Sequence, residues 1–284
     1  MNNMRFALFA ASLAISGAAL AQPAVVEAVQ YPAWLERGGN AVPLTPGTKL
    51  EARDKLRTGG NARVQLKLAE GSAVKLGENA QFVIEKAEER GIFRATLAVI
   101  SGAFRFTTSE LGKSRQRDVS IKVKNVTAGI RGTDLWGKST GEKDLVCLLE
   151  GRISVGSEGH PTVNLDQPLD FYQKPRDGTP EVAKVDPKQV EQWAAETEIS
   201  KGGAAATAQG RWRMVAAVKK NRDEARALRS ALRAAGYPAE MHQKDNFFIV
   251  QVVGLTGEPE ARALMAGVRD ITGVSLPTVH DGPL

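Results

Sequence analysis

The chain has 284 residues, with 38 Lys and Arg against 32 Asp and Glu and a formal charge of +6. That length accommodates two domains at roughly 100–200 residues each, and the modest basic excess favours anionic partners such as cell-wall polymers or lipid headgroups without specifying one. Cys147 is the single cysteine, which excludes an intramolecular disulfide and leaves stability to ordinary cores.

Residues 1–21 read as a secretory signal peptide. Arg5 supplies the positive start, Phe6 to Leu20 is apolar and small, and Ala19-Leu20-Ala21 is an A-x-A site that places cleavage after Ala21. The apolar run is short for a bilayer and no later run is longer, so no membrane span is expected after cleavage. The expected address is the bacterial periplasm.

From Val25 to about Tyr172 short alternating segments follow one another. Val64, Leu66 and Leu68 alternate with Gln65 and Lys67; Val119, Ile121 and Val123 alternate with Ser120, Lys122 and Lys124; Ile153 and Val155 flank Ser154. Turn signals recur at Pro46-Gly47, Gly59-Gly60, Gly71, Gly91, Ser101-Gly102, Gly141 and Gly151. Residues 22–172 are therefore expected to form an all-β sandwich or jelly-roll-like domain.

Residues 173–210 read as a linker. Asp186-Pro187 is a helix start running through Val190 and Trp193 to about Ile199, and Trp193 on this polar helix suggests docking onto the β domain. Gly202 to Ala206 reads as a flexible joint.

Residues 211–284 form the last domain, and one unit is written twice in it. Glu224-Ala225-Arg226-Ala227-Leu228 recurs as Glu260-Ala261-Arg262-Ala263-Leu264. Each copy follows an apolar run, Trp212 to Val218 and then Phe247 to Val253, and precedes a second strand-like run. That order is βαββαβ, an α+β ferredoxin-like arrangement. Asn221 with Glu224 starts the first helix and Gly236 stops it; the second starts near Pro259 and stops at Gly273. Right-handed crossovers put both helices on one sheet face and leave the other open.

Little in the sequence points to catalysis. His160, His242 and His280 are scattered without metal-ligand spacing, and no nucleophile elbow, Walker loop or dinucleotide fingerprint occurs. No metal site and no cofactor are expected. Cys147 sits in an apolar run and reads as a structural thiol. Arg222, Arg226, Arg229 and Arg233 fall at i, i+4, i+7 and i+11, a basic stripe on the exposed side of the first helix. It reads as a solvated face before it reads as an attractor of an anionic polymer. Export argues against nucleic acid.

The β region resembles the FecR-type periplasmic domain. The resemblance rests on Leu56 to Leu66, Glu70-Gly71-Ser72, Ala128-Gly129-Ile130-Arg131-Gly132-Thr133-Asp134 and Glu150 to Val155. Gly132, Thr133 and Asp134 suit a tight turn with local backbone hydrogen bonds, and Arg131 fits either a buried structural role or a ligand contact. In FecR-type regulators the domain passes a transporter's signal through a membrane-spanning helix to a cytoplasmic sigma factor. Neither that helix nor a cytoplasmic segment is legible here, so the domain is expected without that route, engaging an unidentified envelope protein.

Residues 211–279 resemble a SPOR domain, on Arg211-Trp212, the helix from Asn221 to Gly236 and the strand from Asn246 to Val253. The resemblance implies binding to peptidoglycan glycan strands. The chain departs from the family pattern where Val-Gln and a glycine give way to Met214-Val215 and Ala217, and where Ile249 stands in place of an arginine. Alternation sends Trp212, Met214 and Ala216 toward the helices and Arg213, Val215 and Ala217 to the open side, joined by Phe247, Ile249 and Gln251. Arg213, Phe247 and Gln251 are the candidate glycan contacts, and Val215 and Ile249 make the surface greasier than the family norm. A periplasmic, non-catalytic peptidoglycan-binding protein is the expectation. A signal-sensing or protein-interaction module without glycan binding is the alternative, with a wall-acting enzyme a distant third.

Overall fold

The computed structural model describes residues 22–90, 92–108, 117–272 and 277–282. The expected signal peptide and its cleavage site, the turn at Gly91 and the helix stop at Gly273 lie outside the described residues.

Alternation is realised across the first half of the chain, which is mostly β. The strands are β1 (Ala24–Gln30), β2 (Ala33–Arg37), β3 (Asn40–Pro43), β4 (Lys49–Leu50), β5 (Lys55–Thr58), β6 (Arg63–Leu68), β7 (Ala73–Leu76), β8 (Gln81–Arg90), β9 (Ile92–Thr107), β10 (Arg117–Val123), β11 (Val126–Ile130), β12 (Asp134–Ser139), β13 (Lys143–Glu150), β14 (Ile153–Ser157), β15 (Val163–Leu165), β16 (Asp170–Pro175) and β17 (Glu181–Lys184). Val64, Leu66, Val119, Ile121, Val123, Ile153 and Val155 are buried, and Lys67, Lys122 and Ser154 are exposed, as a period of two requires.

Strand β9 belongs to two sheets. Its first half pairs with β8 and, in parallel, with β10; its second half pairs with β7 and β12. The change of sheet falls at Ser101-Gly102, expected as a turn and found as a corner within one strand. Gly102 has φ +85°, and a Cβ there would lie 2.5 Å from the Ala80 Cα. Only glycine allows both the left-handed backbone and that approach.

Asp186 caps the next helix, accepting the Lys188 N–H at 2.8 Å with Pro187 in the first turn. This is α1 (Pro187–Ala195), ending before the expected Ile199. It covers the outer face of the β12–β13–β16 sheet. Trp193 stacks on Trp136 with centroids 4.6 Å apart, and Phe171 meets it edge-on. Cys147, fully buried, lies in the same small cluster.

The Gly202 to Ala206 stretch, expected as a flexible joint, corrects the sequence reading. Ala205–Thr207 forms β18, which pairs antiparallel with β1 through Val29↔Ala206 and meets a later strand through Ala206↔Leu255. Ala205 and Ala206 are buried, the Ser200 N–H donates to Gln30 Oε1 at 2.8 Å, and the Gly202 N–H donates to Glu260 Oε1 at 3.1 Å. The small residues serve close packing, not mobility.

The last part runs β19 (Trp212–Lys219), α2 (Arg222–Ala234), β20 (Glu240–Lys244), β21 (Phe247–Leu255), α3 (Glu258–Thr272) and β22 (Thr278–Asp281). The sheet order is β22–β19–β21–β20, antiparallel throughout. Asn221 caps α2 by accepting the N–H groups of Asp223 and Glu224. Ala225, Leu232, Ala261, Leu264 and Val268 are buried against Met214, Ala216, Val250 and Val252. The core is continuous with that of the first half: Tyr31 meets Tyr237, and the Trp34 Nε1–H donates to the Ala234 carbonyl at 3.0 Å.

Candidate functional site

The open face of the β19–β22 sheet is built by register. Thr278, Val215, Gln251 and Glu240 form one cross-strand row; Val218, Ile249 and His242 form the next; Phe247 and Lys244 end it. A bulge between Val215 and Ala217 breaks the alternation of β19. Ala217 pairs with the fully buried Val250 and so turns toward the helices, while Val218 takes the open position opposite Ile249 and is 55% exposed. The sequence expectation for Ala217 is thereby corrected: one extra residue in a strand reverses every face after it.

A cleft of about 1100 Å³ lies over one end of this face, lined by Arg211, Arg213, His242, Lys244, Gln251 and Val253, with Gly210, Gly254 and Gly282 among its other walls. Gln251 is 3% exposed, and its Oε1 is buried with no hydrogen-bond partner. Arg213 donates from a terminal nitrogen to the Gly282 carbonyl, while its Nε is also buried and unpaired. Arg211 pairs with Asp281 at 3.2 Å, and His242 with Glu240 at 3.2 Å. Phe247 is 40% exposed, and Lys220 Nζ sits 5.9 Å from its ring centroid. Phe247 shares the face with Gln251 but lies four residues before it on β21, roughly 13 Å away at strand rise. The cleft and the aromatic are thus two parts of one surface. The sequence reading did not place Arg211, His242 and Lys244 at this site. The polar strand β20 shows no apolar alternation, and only its pairing with β21 gives its face.

The arginine stripe lies on the other side of the sheet. Arg222 and Arg226 are exposed, and Arg226 pairs with Asp223 at 3.3 Å. Arg229 and Arg233 are half-buried, and Arg229 Nε is buried without a partner, which corrects the expected exposed stripe. The helix end that bears them packs toward β2 and β3, where Gly236 abuts Trp34. None of the four joins Arg213, Phe247 and Gln251.

The Arg131-Gly132-Thr133-Asp134 segment joins β11 to β12. Gly132 has φ +68°, and its carbonyl lies 2.2 Å from where a Cβ on Gly151 would stand, so the two turns interlock. The N–H of the buried Thr133 donates to Thr108 Oγ1, and its carbonyl accepts the Thr108 N–H. Asp134, expected to bond local backbone, instead grips Arg105 through two oxygens at 2.9 and 2.6 Å and accepts Thr107 Oγ1. That bond is the leading cause holding the Arg105 guanidinium above its ordinary value. Arg105 and Lys75 in turn hold Glu198, just after α1. Arg131 itself is exposed, which removes the buried reading. Among the described residues no group of His, Cys, Asp and Glu is placed to hold a metal, and no helix is long and apolar enough to cross a membrane.

Element order defines the class: a β-rich unit followed by a βαββαβ unit with one free sheet face. Residues 54–154 match the family model described as FecR protein, and residues 208–275 match that of the SPOR domain. The chain carries a FecR-type unit followed by a SPOR domain. A putative anti-sigma factor from Parabacteroides distasonis ATCC 8503, solved at 1.65 Å, is similar at 14% identity with a TM-score of 0.42, over 49% of this chain and 64% of that one. A second structure of a putative anti-sigma factor from that organism, solved at 2.50 Å, is similar at 12% identity with a TM-score of 0.42, over 81% of this chain and 99% of that one. This chain spans less than two thirds of the first of these. Comparison with curated proteins found no match.

Proposed function

We propose that this is a non-catalytic protein of the periplasm whose SPOR domain attaches it to peptidoglycan glycan strands through the open face of β19–β22. We assign residues 1–21 to the export signal, 22–172 to the FecR-type unit as a β-sandwich, 173–210 to a docked connector, and 211–284 to a ferredoxin-like SPOR unit. The FecR-type unit engages an envelope protein. Gln251 carries the reading. A buried amide without a partner costs about 1–3 kcal/mol, and in the wall of a cleft beside Arg213 that cost suits a polar ligand. Phe247 supplies a platform for the apolar face of a sugar, and the face holds hydroxyl-pairing groups at its polar end.

Sedimentation of the purified protein with intact and amidase-denuded sacculi tests the assignment. Co-sedimentation with denuded sacculi is expected; recovery in neither pellet ends the glycan reading. A second reading is favoured by the apolar end of the same face, where the exposed Val218 and Phe247 flank Ile249: this surface would then hold a protein and no glycan. Under it, Phe247→Ala and Gln251→Ala leave sacculus recovery unchanged while crosslinking to the partner is lost.

A further inference from the structure

Strand β20 is an outer edge of the β22–β19–β21–β20 sheet, since among the described residues it pairs only with β21. Its hairpin with β21 closes on the two residues Asp245 and Asn246, and Asp245 takes the positive φ, +52°, that such a loop favours. Lys244 and Phe247, which flank the loop, are then a hydrogen-bonded pair. Pair types alternate along an antiparallel ladder, so His242 with Ile249 and Glu240 with Gln251 are the next hydrogen-bonded pairs. The backbone N–H and C=O groups of Met241 and Gln243 therefore point away from β21, to the free edge. Glu240, His242, Gln243 and Lys244 are exposed, and the edge is open to solvent.

Charges on an edge strand ordinarily repel a second strand. Here they select one. Glu240 and Lys244 stand two residues either side of His242, on the same face. A second β20, antiparallel about a two-fold axis at His242, sets each Glu240 opposite the partner's Lys244. Those are non-hydrogen-bonded positions, where side chains come closest, while Met241 exchanges both backbone bonds with the partner's Gln243. A slip of two residues is the smallest that keeps both open faces on one side. It sets Lys244 opposite His242 or Pro238 and ends the match. Parallel pairing in register would set Glu240 beside Glu240.

We propose that a second copy of this chain adds to the free edge of β20, two-fold symmetric about His242. The open face then runs unbroken across both copies. His242, Gln243 and Lys244 line the cleft, so the partner's Glu240 joins its outer wall, and both clefts face the same way. Tyr237, just before β20, packs on Tyr31 of the β-rich unit, so the antiparallel arrangement sends the two β-rich units to opposite ends. Five residues a side bury well under the roughly 1,200 Å² at which stable interfaces begin. The dimer is accordingly weak, with a Kd on the order of 0.1–1 mM.

Sedimentation velocity of the purified protein from about 10 µM to about 1 mM tests this, and the mass should rise toward the dimer. Glu240→Lys and Lys244→Glu should each weaken self-association about tenfold or more, because each sets like charges opposite. Mixed in equal amounts, the two variants should dimerise at wild-type strength, since every cross-pair is again opposite in charge. A fold lost in either variant could not be regained by mixing. Mild oxidation of His242→Cys should give disulfide-linked dimers, and Met241→Cys, opposite the partner's Gln243, should not. A monomer across the whole range overturns the proposal, as does a mixture that stays monomeric. Self-association that survives both charge reversals overturns it by placing the contact on another surface. Crosslinking of His242→Cys to a foreign protein without a self-adduct overturns it too, and gives the edge to another occupant.

Discussion

At the scale of single residues, chemistry in this chain is mostly structural, and two residues make that measurable. Cys147 is fully buried, and burial, with Asp170 adding to it, pushes its thiol up to about 12. The unfolded thiol ionises near 8.5, so above that pH the unfolded state binds fewer protons than the folded one and stability falls as pH rises. Thermal melts should show Tm dropping between pH 8.5 and 10, less steeply in Cys147→Ala, and thiol reagents should label Cys147 only as fast as the protein opens. Asp134→Ala should cost roughly 1.5–3 kcal/mol, because it strips charged hydrogen bonds from Arg105; a urea midpoint shift at constant slope would record it. The motif residues were legible as a unit from sequence, since glycines and small polar side chains cluster there. Their partners were not: Arg105 lies 29 positions from Asp134, and no local rule joins them.

At the scale of elements, period-two and period-3.6 patterns carried the strands and helices, and the caps at Asp186 and Asn221 were readable as such. Asn221→Ala should cost about 0.5–2 kcal/mol by orphaning the first N–H groups of α2, read as a lower Tm. Trp193→Ala should lose about 1 kcal/mol from the stack on Trp136 beyond its burial, and protease should then cut near α1 faster. The β19 bulge marks where sequence reading stopped. Alternation assumes an unbroken pleat, and Met214 to Val218 are apolar or small throughout, so nothing in their identities marks the extra residue. The face of the candidate site turned on it, since Val218 replaced Ala217 there. The face of β20 was not legible for the opposite reason: Glu240 to Lys244 is polar except for Met241, too little to set an alternation.

At the scale of the molecule, two units legible as separate domains proved to share a core and a strand. Glycine and alanine at 202–206 carry the composition of a linker and also the composition of tight packing; pairing across the chain decides between them, and composition is blind to it. Calorimetry should accordingly show one cooperative transition. Ala206→Asp, which buries a charge at a fully enclosed site on β18, should split it into two.

Strand β18, three residues long and bonded on both edges, gives the molecule a fixed bearing. Two domains on a slack tether swivel, and the outer one sweeps a sphere around its anchor. Here, whatever surface holds the β19–β22 sheet also sets the heading of the FecR-type unit, and a pull between the two bears on the hydrogen bonds of β18. The chain behaves as a bracket and not as a leash.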